Sequence, residues 1–277
     1  MNETQQRIRI DLAYHGAAFC GWQIQPNQRS VQGELMSALK KLYGREVLIT
    51  GAGRTDAGVH ALQQVAHLDL PRENCCELSH QPIDNKTCQG PHISLLARAL
   101  NALTPPEMSV LNVEPVSSDF HARFSPHIKT YAYHFDLHQQ PHPLLRDRAW
   151  HCRERDLNHE KMRIFCDLIV GTHDFGSFCS IQNSTETTVR TLVGAEMKKS
   201  GPSEWVFSVR GKGFLQHMVR ILAGTLLGVG MGKIQLEVVG KILSRGSGFR
   251  EQLGLTLPAH GLWLEKTEYV EGQDGLS

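Results

Sequence analysis

Apolar positions in the first half of the chain predict six secondary-structure elements. Alternation of apolar and polar residues is typical of strands, and apolar residues recurring every three to four positions are typical of amphipathic helices. Ser30 precedes one helical stretch as a candidate N-cap, Gly44 ends it, and Pro105 begins the double proline that stops the other. In chain order the predicted elements are a strand at 7–13, a helix at 31–44, strands at 46–53 and 61–70, a helix at 93–105 and a strand at 108–116.

The second half shows the same succession of patterns. The predicted elements are a strand at 129–137, a helix at 156–171, strands at 191–199 and 204–213, a helix at 214–232 and a strand at 261–270. Each half therefore has the order strand-helix-strand-strand-helix-strand, the split βαβ arrangement. We expect an α+β fold of two ferredoxin-like halves, residues 1–117 and 118–277. Their edges are expected to join into one extended antiparallel sheet with the helices on one face.

Composition narrows the class of protein without indicating its chemistry. The chain has 277 residues, 40% of them hydrophobic, and 29 basic against 28 acidic residues give a net charge of +1. A balanced charge neither indicates nor excludes a nucleic-acid partner. The polar start has no apolar run of signal-peptide length, and no run is long enough to span a bilayer. We therefore expect a soluble, cytoplasmic protein with no membrane partner.

The seven cysteines are scattered and form no CxxC pair, which disfavours a structural zinc site and predicts reduced thiols. The polar stretch 71–92 reads as a surface loop. It holds Cys75, Cys76 and Cys88 near two histidines, but adjacent cysteines seldom chelate one tetrahedral ion well. We therefore predict no metal.

The segment GAGRTDAGVHA at residues 51–61 is the main candidate for chemistry. Its glycines permit tight turns, and Arg54 lies two positions before Asp56 between two predicted strands. The glycine spacing matches neither a dinucleotide fingerprint nor a phosphate loop, so no nucleotide cofactor is predicted. Two interpretations remain open from the residues alone: a turn with a surface ion pair, and a cleft carboxylate held charged by a nearby arginine.

The same segment resembles the catalytic motif of the TruA family of tRNA pseudouridine synthases. Five further segments resemble that family's blocks in the same order, so the resemblance covers nearly the whole chain. These are YHGAAFCGWQIQPNQRSVQGEL (14–35), LNALTPPEMSVLNVEPVSSDFHARFS (100–125), GTHDFGSF (171–178), GFLQHMVRILAGTLLGVGMGK (213–233) and PAHGLWLEK (258–266).

The resemblance implies a role for each of four residues. Asp56 matches the aspartate that carries the chemistry, and Arg54 matches an arginine implicated in flipping the target base. Tyr131 matches the tyrosine that stacks on the uracil, and Arg220 matches the arginine that pairs with the aspartate. The implied reaction isomerises specific tRNA uridines to pseudouridine without a cofactor, in the anticodon stem-loop, and the implied assembly is a homodimer.

RNA binding requires cations, and five basic residues are candidates for phosphate contacts: Arg29, Arg123, Lys129, Arg210 and Lys212. Other interpretations stay open. Phe120, Phe124 and Phe214 are equally compatible with a core role. A ferredoxin-like scaffold can also bind RNA without chemistry, so a non-catalytic RNA-binding module is the competing hypothesis. A metal-dependent hydrolase lacks a supporting motif, and the histidines at 60, 121, 217 and 260 are interpreted as structural or RNA-contacting.

Overall fold

The computed structural model describes residues 5–71, 92–154, 156–180 and 186–270. The chain divides into two compact units, Met1–Ser125 and Pro126–Ser277. The interior of the predicted loop 71–92, with its three cysteines, lies outside the described residues.

The first unit contains an antiparallel sheet with the strand order β4-β1-β3-β2. Its strands are β1 (Gln5–Tyr14), β2 (Thr50–Gly51), β3 (His60–Pro71) and β4 (Met108–Val116). The predicted strand at 46–53 is wrong in extent, because only Thr50 and Gly51 pair with β3. The carbonyl of Ile49 instead accepts a hydrogen bond from the Gln32 side chain at 2.9 Å.

Two helices complete the first unit, α1 (Val31–Tyr43) and α2 (Ile93–Leu103). The predicted signals at the ends of α1 are confirmed. The Ser30 hydroxyl accepts a hydrogen bond from the Gly33 N–H at 3.2 Å, and Gly44 ends the helix in the left-handed region at φ 65°. α2 packs against β4, and the core is built from fully buried aliphatic residues of β1 and α1: Ile8, Ile10, Leu12, Leu35 and Leu39.

The second unit repeats the relative strand order of the first, as β10-β5-β9-β8, and adds β7 beyond β8. Pairing is antiparallel except where the short β6 pairs parallel to β5. The strands are β5 (His127–Asp136), β6 (Trp150–His151), β7 (Gly171–Asp174), β8 (Val189–Gly201), β9 (Glu204–Gly211) and β10 (Leu262–Tyr269). The predicted α+β class is therefore confirmed.

Three helices belong to the second unit: α3 (His159–Ile169), α4 (Met218–Gly230) and α5 (Leu236–Arg245). The predicted helix at 214–232 begins four residues too early, because His217 adopts a left-handed φ of 62° that a right-handed helix cannot include. α5 was not among the elements predicted from the apolar pattern. Among the described residues, no helix combines the length and apolarity needed to cross a bilayer.

The boundary between the units falls after Ser125, whereas the pattern placed it after residue 117. The connector that follows β4 is tied to the first unit by hydrogen bonds. The Ala122 N–H donates to His67 Nδ1 on β3 at 3.1 Å, and Arg7 Nη1 on β1 donates to the Phe120 carbonyl at 2.8 Å. Polar contacts that are invisible in an apolar pattern therefore decide where the first unit ends.

Candidate functional site

The Asp56 turn connects β2 to β3 in the first unit. The Val59 N–H donates to the Asp56 carbonyl at 3.2 Å, and Gly58 closes the turn with φ 82°. Asp56 is half-buried, Arg54 is exposed, and Thr55 between them is buried. Thr55 is therefore directed into the protein, and Arg54 is directed towards solvent.

A group of buried polar side chains fixes the residues around Asp56. The Thr55 hydroxyl lies 2.8 Å from the Tyr14 hydroxyl of β1. Gln64 of β3 donates from Nε2 to the Gly53 carbonyl at 3.0 Å and to the Tyr14 hydroxyl at 3.4 Å. Burial raises the pKa of Tyr14 to about 12, so its hydroxyl stays neutral near physiological pH and is available for both bonds. Side chains of β1 and β3 therefore determine the position of the turn.

The segment between β1 and α1 supports the turn from a second side. The Trp22 N–H donates to the Thr55 carbonyl at 3.1 Å. Gly21 has φ 107°, and a Cβ atom there would lie 2.6 Å from the Thr55 carbonyl oxygen. Likewise, a Cβ on Gly51 would lie 2.5 Å from the indole ring of Trp22. Glycine is needed at both positions because backbone and indole pack directly against them.

The supporting roles of these residues could not be predicted individually from the sequence. Gly21 and Trp22 belong to the first of the family-like blocks, which was the available signal that this segment matters. Tyr14 and Thr55 also lie within family-like segments, at 14–35 and 51–61, whereas Gln64 lies outside them. The contacts among these three residues could not be predicted, because they join positions far apart in the chain.

In the second unit, Tyr131 lies on β5 with 8% of its surface exposed. Phe214 meets its ring edge-on at a centroid distance of 4.9 Å. On the neighbouring strands, Val209 and Leu264 lie opposite Tyr131. The tyrosine ring is therefore held in one orientation by its neighbours. Phe214, for which a core role was open from sequence, is half-buried and packs against this ring.

Arg220 lies in the first turn of α4 and is half-buried. Its Nε donates to the Leu257 carbonyl at 2.6 Å, and its own carbonyl accepts from the Leu257 N–H at 3.3 Å. The segment leading to Leu257 packs so closely on α4 that a Cβ on Gly224 would overlap the Leu255 carbonyl. The guanidinium is thus oriented by a backbone contact as well as by its own helix.

The five candidate phosphate contacts differ in accessibility. Arg123 and Lys212 are exposed. Arg29 is exposed but pairs with Glu34 and Glu107 at 3.0 and 3.1 Å, and these carboxylates raise its pKa. Arg210 pairs with Glu268 at 3.3 Å, and Lys129 is only 9% exposed. Arg123 and Lys212 are therefore the cations best placed to meet a phosphate.

Within the described ranges, no three histidine, cysteine or acidic side chains are arranged to hold a metal ion. The Nδ1 of His60 accepts a hydrogen bond from the Gly16 N–H at 3.1 Å, which gives this histidine a structural role. Among the described residues, the cysteines at positions 20, 152, 166 and 179 form no disulfide bond. Burial raises the pKa of the Cys166 thiol to about 12, so it is not poised as a nucleophile.

Comparison with known proteins first defines the class. A family model described as tRNA pseudouridine synthase matches residues 165–270, which include β8, β9, α4 and β10. A chain of this class is an enzyme, an isomerase that acts on tRNA, and the competing hypothesis of a non-catalytic RNA-binding module is disfavoured.

Full-length relatives then define the family. The tRNA pseudouridine synthase A of Halalkalibacterium halodurans is 40% identical over 269 residues, 97% of this chain and 94% of that protein. The protein of the same name from Geobacter sp. is 36% identical, over 96% of this chain and 100% of that protein. The one from Limosilactobacillus reuteri is 37% identical, over 95% of this chain and 96% of that protein. The chain belongs to the tRNA pseudouridine synthase A family, which supports isomerisation of tRNA uridines as its reaction.

Proposed function

We propose that this chain converts specific uridines of the tRNA anticodon stem-loop to pseudouridine, with Asp56 as the catalytic carboxylate and without a cofactor. Membership of the family supports the reaction. The position of Asp56, half-buried on a turn held by buried hydrogen bonds, is the observation that carries the assignment of the residue.

The atom balance of the reaction requires no external reagent. The bond between C1′ and N1 of the uridine breaks, a bond between C1′ and C5 forms, C5 loses a proton and N1 gains one. Because product and substrate are isomers, the balance contains no electron acceptor, no electron donor and no transferred group. The protein must supply a placed carboxylate and a way to bring the base out of its stack.

Correct placement of a carboxylate is a large part of what a protein can add to such a reaction. A displacement of ~1 Å at a reacting group can reduce the rate by ~100-fold. The Thr55 hydroxyl, anchored to Tyr14, and the Gly53 carbonyl, anchored to Gln64, fix the backbone on the N-terminal side of Asp56. These anchors support a catalytic carboxylate better than they support a surface ion pair, which needs no such framework.

We assign supporting roles to three further residues. Arg54, exposed on the same turn, is proposed to occupy the position that the flipped base leaves, which offsets part of the extrusion cost of a few kcal/mol. Tyr131, oriented by Phe214, is proposed to stack on the uracil. Arg220 is proposed to keep the catalytic carboxylate ionised. Arg123 and Lys212 are proposed to contact phosphates, together with Arg29 and Arg210. Lys129 is not included, because only 9% of its surface is exposed.

The decisive experiment replaces Asp56 by asparagine and measures tritium release from tRNA labelled with [5-³H]uridine. We expect wild-type protein to release tritium and Asp56→Asn to lose turnover while it keeps its melting temperature and its affinity for tRNA. The matched control is Asp167→Asn, the same substitution at a carboxylate whose side chain is 67% exposed, which should keep full activity. Turnover by Asp56→Asn within a few-fold of the control would disprove the assignment.

Two finer parts of the proposal have separate measurements. Mapping pseudouridines in tRNA from cells with and without the protein tests whether the modified uridines lie in the anticodon stem-loop. Pseudouridines that are lost only from other parts of the tRNA would contradict this position. Sedimentation of the purified protein tests the homodimer that the family resemblance implies, and a monomer at working concentration would contradict that part alone.

A further inference from the structure

Phe124 is exposed over 74% of its surface, so the core role that was open from sequence is wrong for this residue. Single exposed apolar side chains are common and by themselves indicate nothing. What distinguishes Phe124 is the support beneath it, because the turn that carries it is tied down by a series of hydrogen bonds.

His121 organises this turn. Its Nδ1 accepts hydrogen bonds from the N–H groups of Arg123 and Phe124, at 3.2 and 3.3 Å. Its own N–H donates to the Ser125 hydroxyl at 2.8 Å, and its carbonyl accepts from the N–H groups of Phe124 and Ser125 at 3.1 and 2.9 Å. The imidazole also stacks on the Phe124 ring, with centroids 4.4 Å apart and an angle of 30° between the planes. The phenyl ring is therefore held in place from behind.

A second layer fixes the turn to the sheet. His67 of β3 accepts the Ala122 N–H at its Nδ1, and its ring meets that of His121 at 4.6 Å. Burial holds the pKa of His67 near 4, so the imidazole remains a neutral acceptor at physiological pH. Arg7 of β1 pairs with Asp69 through two bonds of 2.9 Å. Its Nη1 also donates to the carbonyls of Ser118 and Phe120, just before the turn.

The exposed end of this stack has the chemistry of a nucleobase contact. The Arg123 guanidinium lies 5.6 Å from the centroid of the Phe124 ring, so a cation adjoins the exposed aromatic ring. Proteins recognise unpaired RNA bases by stacking them on aromatic rings or guanidinium planes, with cations nearby for the backbone. A ring that is already immobilised loses less conformational entropy when the base binds.

We propose that Phe124, backed by His121 and flanked by Arg123, is a stacking site for one unpaired nucleobase of the tRNA substrate. This inference rests on the proposed function for its ligand, since tRNA supplies the base. The positive charge of Arg123 favours a nucleic acid over an apolar protein surface as the occupant. The site binds and positions RNA and takes no part in bond breaking, so its loss acts on substrate affinity rather than on the chemical step.

The test compares Phe124→Ala with Phe124→Trp and with Leu144→Ala. Leu144 is a suitable control because it is 75% exposed in the other unit and is equally apolar. The measurements are the Kd for unmodified tRNA at fixed salt and the kcat and KM of tritium release. We expect Phe124→Ala to raise Kd and KM by about 5- to 100-fold with kcat nearly unchanged. Phe124→Trp should retain affinity, and Leu144→Ala should match the wild type.

A second readout keeps the inference testable if Phe124→Ala is poorly folded. In Phe124→Trp, the added indole should be quenched by tRNA beyond the change shown by the wild type, which has four tryptophans. A Kd for Phe124→Ala within twofold of the control, or no extra quenching, would overturn the proposal. So would a loss of affinity that accompanies a change in oligomeric state, since Phe124 would then belong to a protein interface.

The outcomes separate this inference from the proposed function. If Asp56→Asn stays active, the catalytic assignment fails while the Kd measurements on Phe124 variants still decide the stacking site. If Asp56→Asn is inactive and Phe124→Ala binds tRNA normally, the catalytic assignment stands and the stacking site is disproved.

Discussion

Replacing Gly21 by alanine should damage the proposed catalytic turn without removing a polar or reactive group. At φ 107°, a Cβ on residue 21 would lie 2.6 Å from the Thr55 carbonyl oxygen and 3.1 Å from the carbonyl carbon of Asp56. Both are backbone atoms, so the conflict cannot be relieved by rotating a side chain. Either the segment that contains Gly21 or the Asp56 turn must move by several tenths of an ångström.

The structure allows the size of the effect to be estimated. Placing a non-glycine residue in left-handed backbone costs ~1–2 kcal/mol, and overpacking of a buried contact adds ~1–3 kcal/mol. We therefore expect the free energy of unfolding to fall by ~2–5 kcal/mol. If the turn takes up half of this movement, the sensitivity of catalysis to position predicts a ~2- to 6-fold fall in the chemical rate.

The matched control is Gly248→Ala. Gly248 has φ 94°, so alanine there meets similar backbone strain, but no atom within 4 Å would touch the new Cβ. The assay is single-turnover tritium release with excess enzyme, at a temperature where urea titration shows both variants to be folded. We expect Gly248→Ala to lose ~1–2 kcal/mol of stability and keep the wild-type rate. Equal rates for Gly21→Ala and Gly248→Ala would refute the coupling of this glycine to the turn.

Two further predictions concern stability. Tyr14→Phe removes the hydroxyl that lies 2.8 Å from the Thr55 hydroxyl, and the buried threonine left behind should lower the free energy of unfolding by ~1–3 kcal/mol. Urea titration of Tyr14→Phe, Thr55→Val and the double variant measures the loss of stability. If the losses of the two single variants simply add up in the double variant, the two hydroxyls do not interact. The second concerns pH: the folded pKa of His67 lies near 4, below its ordinary 6.5. The stabilisation that comes from keeping His67 neutral is therefore complete above pH 6.5 and is lost as the pH falls towards 4. The loss in the free energy of unfolding is at most ~3 kcal/mol, and solvent screening reduces it to ~1–2 kcal/mol. His67→Asn keeps an acceptor for the Ala122 N–H but cannot titrate, so the stability of this variant should vary less with pH over this range than that of the wild type. The same pH dependence in both proteins would show that His67 is not the group responsible.

Local signals in the sequence predicted most of the fold. The Ser30 cap, the Gly44 stop and the alternation along β1, β3 and β5 depend only on neighbouring residues, and each appears in the structure where expected. Errors arose where a distant residue decides the outcome. The carbonyl of Ile49 bonds to a side chain of α1 instead of to a strand, which shortened the predicted strand around it.

The candidate site was predictable to a similar extent. The motif drew attention to Asp56 and Arg54, and the resemblance added Tyr131 and Arg220. The hydroxyl of Tyr14 and the amide of Gln64 that hold the turn were not predictable, because neither contact is between near neighbours: Tyr14 and Thr55 are 41 positions apart, and Gln64 and Gly53 are 11 apart. The exposure of Phe124 was equally hidden, since an aromatic residue in a short connector looks the same in sequence whether it is buried or exposed.

The dependence of the Asp56 turn on its neighbours also bears on protein design. Hydrogen bonds from Tyr14, Trp22 and Gln64 determine its conformation, and these residues lie on β1, on the segment before α1 and on β3. Grafting GRTDAGVHA into the hairpin of another scaffold would transfer the residues but lose their geometry. The smallest portable module is the chain from β1 through β3, and a shorter transplant would carry an aspartate with no defined orientation.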